Sequence, residues 1–155
     1  MPDPKAIDKR NTSEPGEYAI SFASRMVADD YEHAFIVWFE SNPQGFLTTR
    51  KAVGFYPTSA NKAYDLLLAA GDGKIYDDSM EKIEWQLAVQ VNRNVFEKAR
   101  QVEGKYKDGQ KYQLAFNDCV TFVEQVANTV PGLVVPSRIT NIFPSSFIKA
   151  MYESN

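Results

Sequence analysis

The sequence predicts an α+β chain, with one antiparallel sheet and helices packed against it. Three features predict it. "EWQLAVQVN" (84–92) alternates strictly, with Trp85, Leu87, Val89 and Val91 facing one way and Gln86, Gln90 and Asn92 the other. "EHAFIVWFE" (32–40) and "KAVGFYP" (51–57) flank a Ser-Asn-Pro-Gln-Gly turn, as the two arms of a hairpin do. "RNVFEKARQV" (93–102) and the stretch after Cys119 carry apolar residues at helical spacing. A chain of 155 residues, 44% hydrophobic and 24% charged, fits one domain with a sizeable core.

The elements follow in order. Residues 1–16 are polar, hold three prolines and predict a flexible tail ahead of a single domain over 17–155. "YAISFASRMVA" (18–28) alternates as a strand, and Asp29-Asp30 turns it into 32–40, which is apolar on both faces and so predicts a central strand. After the return strand 51–57, Thr58 or Ser59 can cap a helix with Ala63, Tyr64, Leu67 and Leu68 on one face, ended by Gly71. "GKIYDD" (73–78) reads as a short edge strand or loop. The helix 93–102 has Val95, Phe96, Ala99 and Val102 as its stripe, and a polar loop leads from it to the cysteine helix. A Pro-Gly turn at 131–132 precedes a last short helix in 143–153, starting at Pro144 or Ser145.

Composition excludes several classes of function. The net charge is −3, the pI is about 5.2, and no Lys/Arg run marks a nucleic-acid footprint. A single cysteine forms no internal disulfide. The first residues contain no apolar segment of a signal peptide, and no stretch approaches the ~18 apolar residues of a membrane span. The expectation is a soluble chain, cytoplasmic as synthesised, that leaves its cell only by a signal-peptide-independent route.

The chemistry concentrates at "FNDCVTFVEQVA" (116–127). Phe122, Val123, Val126 and Val130 follow Cys119 at helical spacing, and Asn117 or Asp118 can cap that helix. Cys119 then sits in the first turn, where free backbone N–H groups and the helix dipole favour a thiolate and lower its pKa. Two alternatives stand beside this. Cys119 can be a small buried hydrophobe, or Thr121 with Glu124 can form the capping box and leave Cys119 outside the helix. The sole histidine, His33, opens the most apolar strand; it can serve as a base or be an ordinary structural histidine. One His and one Cys make a poor zinc set without two carboxylates, and no G-x-S-x-G elbow supports a serine triad. Cys119 with His33 is the nucleophilic pair that the composition supports, and no metal or organic cofactor is expected.

"EHAFIVW", "GFYP" and "YQLAFNDCVTFV" together resemble the circularly permuted NlpC/P60 branch of the papain-like thiol hydrolases, a group related to lecithin-retinol acyltransferase. In that branch the histidine strand precedes the cysteine helix, as His33 precedes Cys119 here. The likeness spans roughly residues 18–130, although its specific content is about a dozen residues. It implies a permuted papain-like fold in which Cys119 attacks a carbonyl and His33 carries the proton. It implies a third polar residue on the neighbouring strand, for which Tyr56 and Thr58 are the candidates, although the family more often has His, Asn or Gln there. It implies a tyrosine near the oxyanion hole; Tyr106 lies 13 residues before Cys119 and Tyr112 seven. Asp118 resembles the acidic residue before the family's cysteine and is equally a helix cap, as Asn117 is.

The resulting expectation is a cysteine hydrolase that cleaves an amide bond in a peptide, such as a bacterial cell-wall stem peptide, through an acyl-enzyme. As a delivered antibacterial effector it would also meet a cognate immunity or delivery protein. The competing expectations are a lipid acyltransferase, thioesterase or lipase using the same pair, and a non-catalytic binding or immunity module.

Overall fold

The structure is a computed structural model that describes residues 1–11, 13–27, 31–58 and 70–155. Seven strands form one sheet: β1 (Lys5–Asp8), β2 (Tyr18–Val27), β3 (Tyr31–Ser41), β4 (Leu47–Pro57), β5 (Gly71–Asp77), β6 (Ile83–Val91) and β7 (Gln110–Tyr112). Their order across the sheet is β1-β6-β2-β3-β4-β5-β7. Among the described residues three helices accompany them: α1 (Arg93–Lys107), α2 (Cys119–Ala127) and α3 (Pro144–Ser154). The chain is thus α+β, as the alternation and helical stripes predict. The helix expected between Thr58 or Ser59 and Gly71 lies almost wholly outside the described residues.

The three longest antiparallel pairings follow from the apolar alternation. β2 pairs β3 with Phe22 opposite Ile36, and β6 on its other side with Ile20 opposite Val89. β3 pairs β4 with Ile36 opposite Val53. These pairings put Ile20, Phe22, Ala34, Ile36, Trp38, Val53, Phe55, Leu87 and Val89 on one face. Phe96 and Ala99 of α1, Phe122, Val123 and Val126 of α2, and Phe147, Ile148 and Met151 of α3 cover that face and complete the main core. The opposite face carries a smaller cluster of Ala23, Phe35, Val37 and Ala52. Central strand β3 is therefore apolar on both sides because both sides are covered, as its continuous hydrophobic run predicts.

Several boundaries differ from the sequence reading: β4 begins at Leu47 and not at 51, and β5 begins at Gly71, expected as a helix end, and lies between β4 and β7 and not at an edge. Lys5–Asp8, expected within a flexible tail, pairs in parallel with β6, Ile7 opposite Val89. Its four residues alternate in burial, with Lys5 and Ile7 the less exposed. Gln110–Tyr112, expected as loop, adds to β5 with Tyr112 opposite Gly71. Helix α1 continues one turn beyond the expected end, through Gly104, because Glu103 and Tyr106 extend its buried face. Glu103 accepts the Trp38 indole N–H at 3.1 Å and is flanked by Arg100 and Lys107. A hydrogen bond and two cations make that carboxylate tolerable inside the core.

The cap of α2 is settled. Asp118 accepts from Val120 N at 3.0 Å and Thr121 N at 3.1 Å, and the Asp118 N–H reaches Thr121 Oγ1 at 3.2 Å. This is a capping box with Thr121 as the answering residue, so the alternative cap of Thr121 with Glu124 is not used and Cys119 is the first helical residue. Among the described residues no helix is long and apolar enough to cross a membrane.

Phe122 is wholly buried and touches Tyr106 edge-on, with ring centroids 5.1 Å apart. Phe122→Ala is expected to cost about 3–5 kcal/mol, read as a lower midpoint in urea unfolding, because the site loses a large side chain and keeps a cavity.

Candidate active site

Cys119 and His33 approach β3 from different sides. Side chains alternate along a strand, and Ala34, Ile36 and Trp38 belong to the helix-side core together with Cys119. His33 lies with Phe35 on the other face, where its ring stacks on Tyr56 with centroids 4.1 Å apart. The thiol is only 3% exposed and lies against the backbone N–H of Ala34, the residue next to His33. The expected hydrogen bond between the thiol and the imidazole is not made, since His33 Nδ1 is buried without a partner.

A residue that the sequence reading missed orients the imidazole. His33 Nε2 is 2.8 Å from Asp78 Oδ2, and both side chains are fully buried. Asp78 also accepts the Tyr56 hydroxyl at 2.7 Å and pairs with Arg25 at 2.7 Å. Burial works to raise the Asp78 pKa, but the His33 and Tyr56 hydrogen bonds and the Arg25 charge outweigh it and hold the group at about 2. A carboxylate only accepts, so His33 donates through Nε2 and keeps a bare lone pair on Nδ1. Burial lowers the His33 pKa further than the Asp78 hydrogen bond and charge raise it, so the ring is neutral near pH 7. Gly54 makes this pairing possible: a Cβ there would lie 2.4 Å from His33 Nε2 and 2.5 Å from Asp78 Oδ2. A glycine inside a strand pattern often marks such an approach, so "VGFYP" held a usable signal.

The other candidates take different roles. Tyr56 covers the imidazole and bonds its acidic partner, so it supports the third group rather than being it. Thr58 is remote from the imidazole; its side chain and its N–H both bond the Asp72 carbonyl. Tyr106 donates to Asn117 Oδ1 at 2.9 Å, and the Asn117 amide donates to the Lys111 carbonyl, so both brace the loop before α2. Asp118 is saturated: besides its cap bonds it accepts the Ala115 N–H at 2.9 Å and both Arg138 nitrogens at 2.9 and 3.0 Å. It is a structural anchor with no lone pair to spare for proton transfer. Arg138 is a second residue missed from the sequence.

Cys119 and Tyr112 line a cavity of about 420 Å³. Its wall is largely apolar, from Leu114, Ala115, Ile142, Phe143 and Pro144, with Tyr31 and Glu32 beside them. The Tyr112 hydroxyl is buried and makes no well-aligned hydrogen bond; its polar neighbours are the Tyr31 phenol and the thiol. Among the described residues no three His, Cys, Asp or Glu side chains converge as metal ligands.

The thiol is not the ready thiolate expected at a helix start. Burial, and then the neighbouring Asp118 charge, push Cys119 up to about 12, against the Ala34 and Val120 N–H groups and Arg138. Desolvation outweighs the helix terminus because the sulfur has almost no contact with water. Alkylation by iodoacetamide is therefore expected to keep accelerating above pH 8.5, the midpoint of an ordinary cysteine. A rate that levels off below pH 8 would contradict this ordering of forces.

The imidazole cluster generates a pH dependence of stability. His33 has a folded pKa below its ordinary 6.5, so protons favour the unfolded chain and stability is lost as pH falls below about 6.5. Asp78 is depressed from 3.8 to about 2, so a second loss follows between those values. Melting temperatures are expected to fall in two steps, and His33→Gln, which can still donate to Asp78 and does not titrate, should remove only the first.

Comparison with protein-family models, with curated proteins and with solved structures finds no match, so the likeness to permuted NlpC/P60 hydrolases rests on the short motifs that carry it.

Proposed function

We propose that the protein is a cysteine hydrolase that cleaves an amide bond through an acyl-enzyme, with Cys119 as nucleophile and His33 as base. The observation that carries this reading is the position of the only cysteine, in the first turn of a firmly capped helix and in the wall of the cavity. A substrate carbonyl in the cavity would meet Cys119 Sγ. The thiol proton passes to His33 Nδ1 as the S–C bond forms, and the Tyr112 hydroxyl, otherwise without a partner, donates to the oxyanion. The imidazolium returns the proton to the amine as the C–N bond breaks, and water then releases the acid from the thioester. Asp78 holds the ring in the required tautomer throughout. The transfer needs Sγ and Nδ1 within about 3 Å; because the thiol lies on the helix side of β3 and the imidazole on the other face, it requires the start of β3 to rearrange when substrate binds.

A peptide fits as substrate, such as a bacterial cell-wall stem peptide, and delivery of the protein as an antibacterial effector would make that cleavage toxic. The apolar wall supports a second substrate reading. Ile142 and Phe143 line the cavity and are 49% and 67% exposed, a surface suited to the acyl chain of a lipid ester. In that case an alcohol leaves in place of the amine. The buried thiol, and the bond it does not make to His33, favour a further alternative, a binding module that uses the same cavity without chemistry.

Mass spectrometry after incubation with purified cell-wall fragments and, separately, with phospholipids separates these readings. The expected result is a new peptide or acid product, lost in Cys119→Ala and in His33→Ala. The double variant should be hardly worse than either single one, because the two groups act as a unit. Asp78→Asn should lower turnover while leaving the unfolding midpoint closer to wild type than Phe122→Ala does. Full activity in Cys119→Ala would end the hydrolase reading.

A further inference from the structure

We propose that the cavity beside Cys119 recognises a primary ammonium group, with Glu32 as its counter-charge. The cavity wall contains two acidic side chains, Asp118 and Glu32, and no basic one. Asp118 is neutralised by the two-pronged Arg138 contact at 2.9 and 3.0 Å. Glu32 is not neutralised. Its Oε2 accepts the Ser145 N–H at 3.0 Å, and among the described residues it makes no ion pair within 4.0 Å. Glu84 adds a second negative charge at the same helix start, taking the Ser145 hydroxyl at 2.6 Å.

The surrounding chemistry is that of a cation site. Tyr31, Tyr112 and Phe143 supply aromatic rings to the wall, and such rings attract an ammonium through their negative faces. The Tyr112 hydroxyl, 1% exposed and without a partner, offers an acceptor inside the cavity. A neutral ligand would strip water from Glu32 and give nothing back, and an anionic one would repel it. An alkylammonium satisfies the carboxylate and leaves its carbon chain against Leu114, Ile142 and Pro144. The inference rests on this cavity being the substrate site of the proposed enzyme, but its test needs no turnover.

The test is isothermal titration at pH 7 with n-hexylammonium, n-hexanol and hexanoate. It compares the wild-type protein, Glu32→Gln and, as a control, Glu97→Gln, which removes an exposed carboxylate on α1 outside the cavity. Glutamine keeps an oxygen for the Ser145 N–H and removes the charge. The ammonium should bind at least about tenfold more tightly than the alcohol, and hexanoate most weakly. Glu32→Gln should bring the ammonium to the level of the alcohol, and Glu97→Gln should change neither. A lysyl dipeptide and dihexanoylphosphatidylethanolamine, titrated alongside, distinguish a peptide amine from a lipid one, and tight binding of either supports the proposal. Equal binding of ammonium and alcohol, a preference that survives Glu32→Gln, or no binding of the ammonium overturns it. An ammonium preference in a protein that forms no acyl-enzyme would remove the hydrolase reading and leave this one in place.

Discussion

The Asp118 carboxylate is the contact on which the geometry around Cys119 depends. It closes the first turn of α2, holds the Ala115 N–H, and receives both nitrogens of Arg138 from the connection between α2 and α3. Three chain segments are thereby tied to one buried group. An N-cap of this kind contributes about 0.5–2 kcal/mol by itself. The guanidinium makes the buried charge affordable through two parallel, charge-assisted bonds. Ala115 is held at φ 67°, a left-handed conformation that a residue with a Cβ adopts at a cost of about 1–3 kcal/mol. The carboxylate offsets that cost, and Ala115 in turn shapes the cavity wall.

The two faces of β3 solve different problems. On the helix side, Ala34, Ile36 and Trp38 meet α1 and α2 in an apolar core with few polar atoms. On the other side, a cluster of Arg25, His33, Tyr56 and Asp78 is buried at the end of a smaller apolar patch. That cluster is nearly complete: every member is hydrogen-bonded, and the lone exception is His33 Nδ1. The lone pair on Nδ1 is the one hydrogen-bonding position of the cluster that no described group fills. The cluster is also a network that a neutral imidazole can occupy without catalysing anything, which is why reactivity and turnover, rather than geometry alone, discriminate between the readings.

Opposing forces at the sulfur show how magnitudes decide. A helix start and two N–H groups favour the thiolate, yet the buried position of Cys119 and the charge of Asp118 disfavour it more. The same residue that secures the helix thus helps keep the thiol protonated at rest. A thiol of this kind reacts only when a base takes its proton during the attack, so the proposed chemistry relies on general-base transfer rather than on a standing ion pair.

The sequence by itself determined the sheet, the helical faces and the placement of Cys119 at a helix start. Those features depend on local periodicity and on capping residues a few positions apart, such as Asp118 and Thr121. It did not reveal the strand at Lys5–Asp8, whose pairing with β6 joins segments about 80 residues apart. Nor did it reveal Asp78 as the partner of His33, 45 residues away, or Arg138 as the partner of Asp118. The glycine at 54 hinted at a close approach without naming what approached. Tertiary structure also reversed the expected thiol pKa, because desolvation depends on what covers a side chain, and no local pattern records that. Period and capping are properties of neighbours in the chain, whereas burial and charge pairing are properties of neighbours in space.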